Sequence, residues 1–342
     1  MVKLSSLGDV VHAMPAVQDI RHALPLAQID WVVERSFAPL VRRCTGVHRV
    51  IGCDLRCWCK SPLSRPTRHA WGLFKAELQR EPYDAVIDLQ GLTKSALVSW
   101  LAQLSPNGKR YSLANQTEGS CFEVPTRWVA DVAISMQPHI HAVARSRELC
   151  SRALQYTLPL FTDYGLLAHT GQVDDAIADV ATKTGMSGVV ALVHGSSRTD
   201  KQWPLSHWLD VGMRLYATGY AVALLHGNAL EEQTAHTIAS HLPQAQVWPR
   251  LNLDTLIDAL TTCTGVIGVD SGLSHIAVAL NLPHVQLYNF DTAWRTGPVP
   301  ISSSQASPLD QSSPRQCSVF AQPFPAPDAV WQAWLNMLGS SR

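Results

Sequence analysis

Three short polar segments of this chain contain residue types that can bind anions or accept protons. The first is Ser5-Ser6-Leu7-Gly8-Asp9, which lies where a short strand is predicted to turn into a helix. Ligands bind at such positions in open α/β sheets, and a carboxylate there can act as a general base. Asp9 is equally suited to cap the helix or to complement its dipole. The spacing alone leaves both interpretations open.

The second segment, residues 194–204, follows an apolar strand predicted at residues 189–193. Ser196 and Ser197 offer hydroxyls, and Lys201 offers a cation. Together with backbone N–H groups, they can clamp phosphate oxygens. The segment is not a Walker loop, because the glycines and the Lys-Ser/Thr pair are absent. An ordinary polar connection is the alternative interpretation.

The third segment, residues 268–275, has the same placement between a strand and a helix. Backbone N–H groups at Ser271, Gly272 and Leu273 would point from a helix N-terminus towards an anion such as a diphosphate. Asp270 could accept hydrogen bonds from sugar hydroxyls. His275, one turn into the helix, is either a ligand-binding residue or a core histidine.

These segments must be positioned by strands and helices that alternate along the chain. Such alternation is typical of parallel sheets covered on both faces by helices. We predict strands at residues 2–4, 29–33, 85–89, 189–193, 220–225, 266–269 and 284–288. We predict helices at about 8–22, 94–104, 205–218, 230–242, 253–262, 273–280 and 328–338. The fold class is therefore α/β, with two Rossmann-like doubly wound domains at 1–165 and 166–342. A stretch rich in Ser, Pro and Gln between 298 and 327 predicts a loop or a loosely packed segment.

Composition and charge narrow the classes of function. The chain has 342 residues, enough for two domains, and its 27 basic and 27 acidic residues balance. The first 165 residues carry 19 basic and 14 acidic residues, whereas the remainder carries 8 and 13. Residues 35–80 hold ten basic residues against two acidic ones, which indicates either a solvated basic face or a docking surface for a polyanion. The balanced total and the lack of a nucleic-acid motif argue against nucleic acid.

Targeting signals and cysteines bear on the expected location of the protein and on the state of its thiols. No secretory signal opens the chain, and no apolar run reaches the roughly 18 residues that span a bilayer, so we expect a soluble or peripherally attached protein. The eight cysteines include Cys53, Cys57 and Cys59, whose spacing lacks the paired CxxC halves of a zinc site. Free thiols are the expected state.

Six stretches together resemble the successive signature segments of bacterial heptosyltransferases. They are VKLSSLGDVVHAMPAV, DWVVE, YDAVIDLQGLTKSAL, HAVARSREL, VHGSSRTDKQWP and GVDSGLSHIAVAL. They run in the family's order and cover residues 2 to about 295. The resemblance implies an inverting glycosyltransferase of the GT-B fold, with two Rossmann-like domains that face each other across a cleft. The N-terminal domain would bind the acceptor. The C-terminal domain would bind the nucleotide sugar and carry a C-terminal docking helix.

The resemblance also implies a reaction and a location. The enzyme would move L-glycero-D-manno-heptose from ADP-heptose to the Kdo of Kdo-lipid A, in synthesis of the lipopolysaccharide inner core. It would lie in the cytoplasm, peripherally on the cytoplasmic face of the inner membrane. No cofactor or metal is implied, and the sequence has no Asp-x-Asp triplet to hold Mg²⁺.

Individual residues take roles by the same resemblance. Asp9 matches the general base that deprotonates the acceptor hydroxyl, and Lys201 matches a lysine that binds the donor phosphates. The implied donor-binding residues are Ser196, Ser197, Lys201, Glu231, Asp270, Ser271, Gly272, Leu273 and His275. The implied acceptor-binding residues are Ser6, Arg56, Lys60, Arg65, Arg68 and Lys94.

Three alternatives stay open at this stage. The first is another member of the family that uses a different core acceptor. The second is a catalytically impaired protein that binds a sugar nucleotide or a lipid. The third, a dinucleotide-dependent oxidoreductase, is disfavoured because no GxGxxG motif follows a predicted strand.

Overall fold

Parallel strands alternate with helices in both halves of the chain, as a computed structural model shows for residues 1–169, 185–299, 301 and 315–339. The chain divides into two units, Met1–Leu166 and Leu167–Arg342. The α/β class predicted from the sequence is confirmed.

The strands of the N-terminal unit are all parallel to their neighbours. They are β1 Ile29–Glu34, β2 Val47–Cys53, β3 Tyr83–Asp88, β4 Leu104–Leu113 and β5 Val132–Ile134. Its α-helices are α1 Leu7–Ala23, α2 Ala38–Arg42, α3 Leu55–Trp58, α4 Arg65–Leu78, α5 Thr93–Leu101, α6 Pro125–Val129 and α7 Ala142–Leu154.

Residues 1–4 run through the middle of this sheet. Val2 makes parallel bridges to Val32 of β1 and to Asp88 of β3, and its N–H donates to the Ile87 carbonyl at 2.9 Å. The strand order is therefore β2, β1, residues 1–4, β3, β4, β5. Since the chain winds outwards in both directions from residues 1–4, the segment after them lies at a topological switch point.

Helix α1 is buried along nearly its whole length. Its apolar side chains at helical spacing are each 3% exposed or less; they are Val10, Val11, Met14, Val17 and Ile20. Helix α7 packs directly against it. The start of α1 is thus held rigidly at the switch point.

The C-terminal unit contains a six-stranded parallel sheet of order β11, β10, β9, β6, β7, β8. Its strands are β6 Gly188–Val193, β7 Tyr220–Leu224, β8 Ala245–Val247, β9 Gly265–Val269, β10 His284–Tyr288 and β11 Gln316–Phe320. Its α-helices are α8 Leu205–Ala217, α9 Ala229–Ala239, α10 Leu253–Thr261, α11 Gly272–Ala279, α12 Ala293–Thr296 and α13 Pro327–Gly339. The winding reverses between β6 and β9, so the loops after these two strands share the switch point.

The end of the chain departs from prediction in two places. The expected loop at 298–327 contains β11, an edge strand paired with β10, while residues 300 and 302–314 of that stretch lie outside the described residues. The final helix does pack on the sheet, with Val330 and Trp334 fully buried. However, the apolar spacing predicts a buried face of Val330, Trp331, Trp334, Leu335 and Leu338, whereas Leu335 is 38% exposed and Met337 is buried instead.

Candidate functional site

Asp9 lies in the first turn of α1, at the switch point of the N-terminal unit. Its Oδ2 accepts hydrogen bonds from the Ser6 N–H at 3.1 Å and from the Ser6 hydroxyl at 2.7 Å. Its Oδ1 lies 3.5 Å from Lys3 Nζ. The Asp9 side chain is 36% exposed and Lys3 only 3%. Asp9 therefore belongs to the capping box of the helix, and its carboxylate is still partly exposed; its role as a general base stays a prediction.

The charges around Asp9 keep its carboxylate ionised. Burial acts to raise the pKa of Asp9, but the charge of Lys3, the hydrogen bonds from Ser6 and the proximity of His12 together hold it well below its usual range. A carboxylate that is ionised at neutral pH is in the protonation state a general base requires.

The loop after β3 fixes the position of the loop that carries Asp9. Gln90 Oε1 accepts hydrogen bonds from the Leu4 N–H at 3.1 Å and the Ser5 N–H at 3.2 Å. The Lys3 ammonium donates to the Leu89 carbonyl at 3.3 Å. These bonds join adjacent strand ends across the switch point, so a shift of one loop would shift the other.

The buried carboxylate of Glu34 lies close to two cationic side chains at this edge of the sheet. Glu34 ends β1 and is buried. Burial raises its pKa, whereas the nearby charges of Arg56 and Lys94 lower it. The Arg56 guanidinium also donates to the Ser5 hydroxyl at 3.2 Å. Of the predicted acceptor-binding residues, Ser6, Arg56 and Lys94 are thus brought to the edge where Asp9 lies.

The other predicted acceptor-binding residues lie further along the chain on α3 and α4. Lys60 follows α3, Arg65 begins α4, and Arg68 lies one turn later; all three are exposed. Their role in acceptor binding stays a prediction.

Lys201, Asp270 and His275 form a charged cluster at the switch point of the C-terminal unit. Lys201 Nζ lies 2.5 Å from Asp270 Oδ2, and His275 Nε2 lies 3.3 Å from Asp270 Oδ1. Burial acts to raise the pKa of Asp270, but its contacts with His275 and Lys201 hold it well below the usual range. His275 is buried and contacts Asp270, as expected of a core histidine, and its role in ligand binding stays a prediction.

The N-terminus of α11 adjoins this cluster. Ser271 is its N-cap residue, and among the described residues the buried Ser271 Oγ has no hydrogen-bond partner. The first N–H groups of a helix have no partner within the helix, and they attract negative charge. Ser271, Gly272 and Leu273 therefore lie at a helix N-terminus that favours negative charge, next to Asp270 and its partner Lys201.

A cavity of about 170 Å³ lies beside the loop after β6. His194, Gly195 and Glu231 line it, together with apolar residues that include Trp203 and Leu230. Burial lowers the pKa of His194 to about 4, so its imidazole is neutral at physiological pH. The mixture of flat apolar walls and a carboxylate suits a nucleoside.

The remaining residues of the loop are more exposed. Ser196 Oγ accepts a hydrogen bond from the Arg198 N–H at 3.4 Å, and Ser197 is exposed. Glu231 Oε2 accepts a hydrogen bond from the Gly227 N–H at 2.7 Å. The structure thus places Ser196, Lys201 and Glu231 around one loop of the C-terminal unit, and their role in donor binding stays a prediction.

A family model described as glycosyltransferase family 9 (heptosyltransferase) matches residues 71–322. The chain belongs to glycosyltransferase family 9. The predicted family and the predicted glycosyltransferase activity are therefore confirmed.

Curated relatives and solved structures agree with this family. Lipopolysaccharide heptosyltransferase 1 of Escherichia coli strain K12 is 35% identical, over 84% of this chain and 86% of the relative. The enzyme of the same name from Pseudomonas aeruginosa is 36% identical, over 84% of this chain and 77% of the relative. The structure described as E. coli heptosyltransferase WaaC with ADP matches with a TM-score of 0.80 and 29% identity, covering 98% of both chains.

Sequence reasoning missed three residues that organise the site of this glycosyltransferase. Lys3 and Gln90 contact the loop that carries Asp9, and Glu34 interacts with Arg56, which donates to Ser5 of that loop. The positions of these residues in the sequence could have identified them. Lys3 is a cation between two apolar strand residues, and Glu34 and Gln90 lie at or just beyond the ends of strands. Polar residues at such positions are candidates for a ligand site.

The described parts of the glycosyltransferase contain neither a metal-binding cluster nor a helix suited to span a membrane. Residues 1–169, 185–299, 301 and 315–339 contain no group of three or more His, Cys, Asp or Glu side chains placed to hold a metal ion. Among those same residues, no helix has the length and apolar character needed to cross a bilayer.

Proposed function

We propose that this glycosyltransferase moves L-glycero-D-manno-heptose from ADP-heptose to the Kdo of Kdo-lipid A, in synthesis of the lipopolysaccharide inner core. The observation that carries the proposal is the 34–36% identity to four enzymes named lipopolysaccharide heptosyltransferase 1, over 84% of this chain. A structure described as WaaC with ADP-2-deoxy-2-fluoro heptose, 30% identical with a TM-score of 0.75, supports ADP-heptose as the donor.

The C-terminal unit supplies the donor site in this proposal. Lys201 and the α11 turn bind the diphosphate, Asp270 and His275 bind the sugar and orient Lys201, and Glu231 binds the nucleoside. Ser196 and Ser197 offer hydroxyls to the phosphates. The cavity beside Glu231 and the cation at the switch point support these assignments.

The N-terminal unit supplies the base. The acceptor hydroxyl oxygen attacks the anomeric carbon of heptose, Asp9 takes the hydroxyl proton, and the bond from the anomeric carbon to the phosphate oxygen breaks. The electron pair leaves with ADP, and Lys201 stabilises the charge that develops on the diphosphate. Attack opposite the leaving group inverts the anomeric configuration, so no covalent intermediate is needed.

The acceptor-binding residues in this proposal are cations that match an anionic acceptor. Kdo carries a carboxylate and lipid A carries phosphates, groups that Arg and Lys side chains bind well. We assign this role to Ser6, Arg56, Lys60, Arg65, Arg68 and Lys94. A lipid-anchored acceptor would place the enzyme peripherally on the cytoplasmic face of the inner membrane.

A comparison of two acceptors tests the proposed acceptor. The protein is incubated with ADP-heptose and either Kdo-lipid A or the same acceptor already carrying one heptose, and products are separated by mass. We expect one heptose to be added to the first acceptor and little to the second. Preference for the second would instead indicate the heptosyltransferase 2 reaction, and no transfer to either would indicate an impaired binding protein.

We expect replacement of Lys3 by methionine to make transfer more sensitive to acid. The charge of Lys3 helps to keep the pKa of Asp9 low, so its loss raises that pKa. Because the base works only when ionised, activity is lost as pH falls through this pKa, and the loss then starts at higher pH. The acid limb of kcat/KM should move up by about one pH unit or more.

The pH profile of kcat/KM for Lys3→Met measures this effect. Lys109→Met, which changes an exposed lysine on β4, is the matched control. Thermal unfolding of both variants shows whether the buried replacement has harmed the fold. Superimposable acid limbs in a folded Lys3→Met protein and the wild type would contradict the role assigned to Lys3.

We expect replacement of Gly195 by alanine to weaken ADP binding by about tenfold, the usual effect of losing one hydrogen bond to a charged group. A Cβ at Gly195 would lie 2.6 Å from Glu231 Cδ and 2.8 Å from its Oε1, so the carboxylate must move away. Isothermal titration with ADP measures the effect. Gly339→Ala is the control, because a Cβ there meets nothing within 4 Å. Equal ADP affinity in both variants would remove Glu231 from the nucleoside site.

A further inference from the structure

Helices α4, α5 and α6 form one layer on the sheet of the N-terminal unit. Phe74 of α4 and Val98 of α5 belong to the same buried cluster, and Gln79, just after α4, donates to the Leu101 carbonyl at 2.7 Å. Helix α6 packs beside α5. Their outer surfaces, with the segment between α3 and α4, form what we term the helical face, residues 59–80, 93–101 and 123–129.

Large apolar side chains are exposed across the helical face. They are Leu63 (85% exposed), Leu73 (60%), Leu97 (40%), Trp100 (61%), Val124 (53%) and Trp128 (79%). Single exposed apolar residues are common, but a group of six on one helical layer indicates an interaction surface. Tryptophan is the residue most typical of the interface between lipid and water, because its ring is apolar and its N–H is polar.

The helical face is also cationic. Its exposed basic residues are Lys60, Arg65, Arg68, Lys75, Arg80, Lys94 and Arg127. Its acidic residues are Glu77 and Glu123, and both have partners: Glu77 lies 3.4 Å from Arg49, and Glu123 accepts a hydrogen bond from the Thr93 N–H at 2.7 Å. Seven basic residues against two acidic ones make this face net positive, and apolar side chains among the cations complement a surface with negative headgroups above acyl chains.

We propose that the helical face docks on an anionic lipid bilayer, with Trp100 and Trp128 inserted at the level of the headgroups. The charge argues for lipid over a second copy of the chain, since two such cationic faces would repel in a symmetric dimer. Helices α4 and α5 begin at the sheet edge where Asp9 lies, so docking would hold this edge close to the headgroups. The proposal deepens the proposed function, which supplies a lipid-anchored acceptor.

Vesicle binding tests the proposal without using catalysis. The full chain is mixed with sedimentable vesicles of phosphatidylglycerol and phosphatidylcholine in equal parts, or of phosphatidylcholine alone, with no glycosyl acceptor present. We expect binding to the anionic vesicles only, with a blue shift of tryptophan fluorescence. Binding should weaken strongly in about 1 M NaCl, where the Debye length is about 3 Å.

Paired variants locate the surface. The double variant Trp100→Ser with Trp128→Ser should lose about tenfold or more of its partition into anionic vesicles, because membrane binding scales with buried apolar area. The matched control replaces Leu26 and Leu160 by serine; these are 97% and 103% exposed and lie outside the helical face. Both double variants should keep the wild-type rate with a deacylated, water-soluble Kdo acceptor, provided that the proposed function holds.

Three outcomes would overturn the docking proposal. They are no binding to anionic vesicles, equal losses in the two double variants, and a tryptophan variant that changes the oligomeric mass in analytical ultracentrifugation but not lipid binding. The last would identify the helical face as a contact between copies. Failure of heptose transfer with vesicle binding intact would count against the proposed function alone.

Discussion

Replacing Asp9 by asparagine should reduce heptose transfer by about 10²- to 10⁴-fold, the usual contribution of a general base. Asparagine has nearly the same shape and can still accept the hydrogen bonds that Ser6 donates. It cannot take the proton of the acceptor hydroxyl. The geometry of the loop should therefore be kept while the chemistry is lost, so the effect should appear in kcat.

Donor binding distinguishes this explanation from a general loss of structure. Asp9 lies in the N-terminal unit, and the donor residues proposed above lie in the C-terminal unit. The Kd for ADP in Asp9→Asn should stay within about twofold of wild type, since mutations without shared partners act independently. Asp84→Asn, which changes an exposed carboxylate at the opposite end of β3, should keep full activity. An Asp9→Asn enzyme with near wild-type kcat would exclude Asp9 as the base.

Replacing Lys201 by alanine should weaken ADP binding by about 10- to 100-fold, since a hydrogen bond to a charged group contributes about 1.5–3 kcal/mol. Its ammonium is partly buried against Asp270, the residue that precedes the N-cap of α11. Transfer should fall further than binding, because the charge on departing ADP is greatest in the transition state.

Two measurements separate these effects for Lys201→Ala. Isothermal titration gives the Kd for ADP and for ADP-heptose, and single-turnover transfer at saturating donor gives the chemical rate. Arg214→Ala, which removes a cation from α8 that is paired with Asp210 and Asp328, should leave both values unchanged. If Lys201→Ala bound both nucleotides with wild-type affinity, Lys201 would have no place in the phosphate site.

The sequence predicted the most apolar elements of the fold well. Helix α1 and strands β6, β9 and β10 were predicted with their ends within two residues, because each is buried on all sides and flanked by polar turns. Strands β2, β4, β5, β8 and β11 were missed. These strands contain few buried residues: β4 also includes Pro106 and Gly108, and β11 follows a segment rich in Ser and Pro. A weak apolar pattern gives no strand signal.

The site was predicted as three segments but not as a set of contacts. Asp9, Lys201 and Asp270 were found because each follows a recognisable strand and belongs to a family motif. The contacts of Gln90 with Ser5 and of Lys3 with Leu89 join residues about 85 positions apart. Sequence spacing cannot reveal such contacts, since they depend on which strands become neighbours in the sheet.

Transfer of heptose by the wild-type chain, compared with Asp9→Asn, tests the central claim most directly. Both proteins are incubated with ADP-heptose and Kdo-lipid A, and the lipid product is analysed by mass spectrometry, with release of ADP measured in parallel. The proposed function predicts a product heavier by one heptose and one ADP released per transfer, with the asparagine variant binding ADP but forming almost no product. An unchanged lipid mass with the wild-type chain, although ADP-heptose binds, would contradict it.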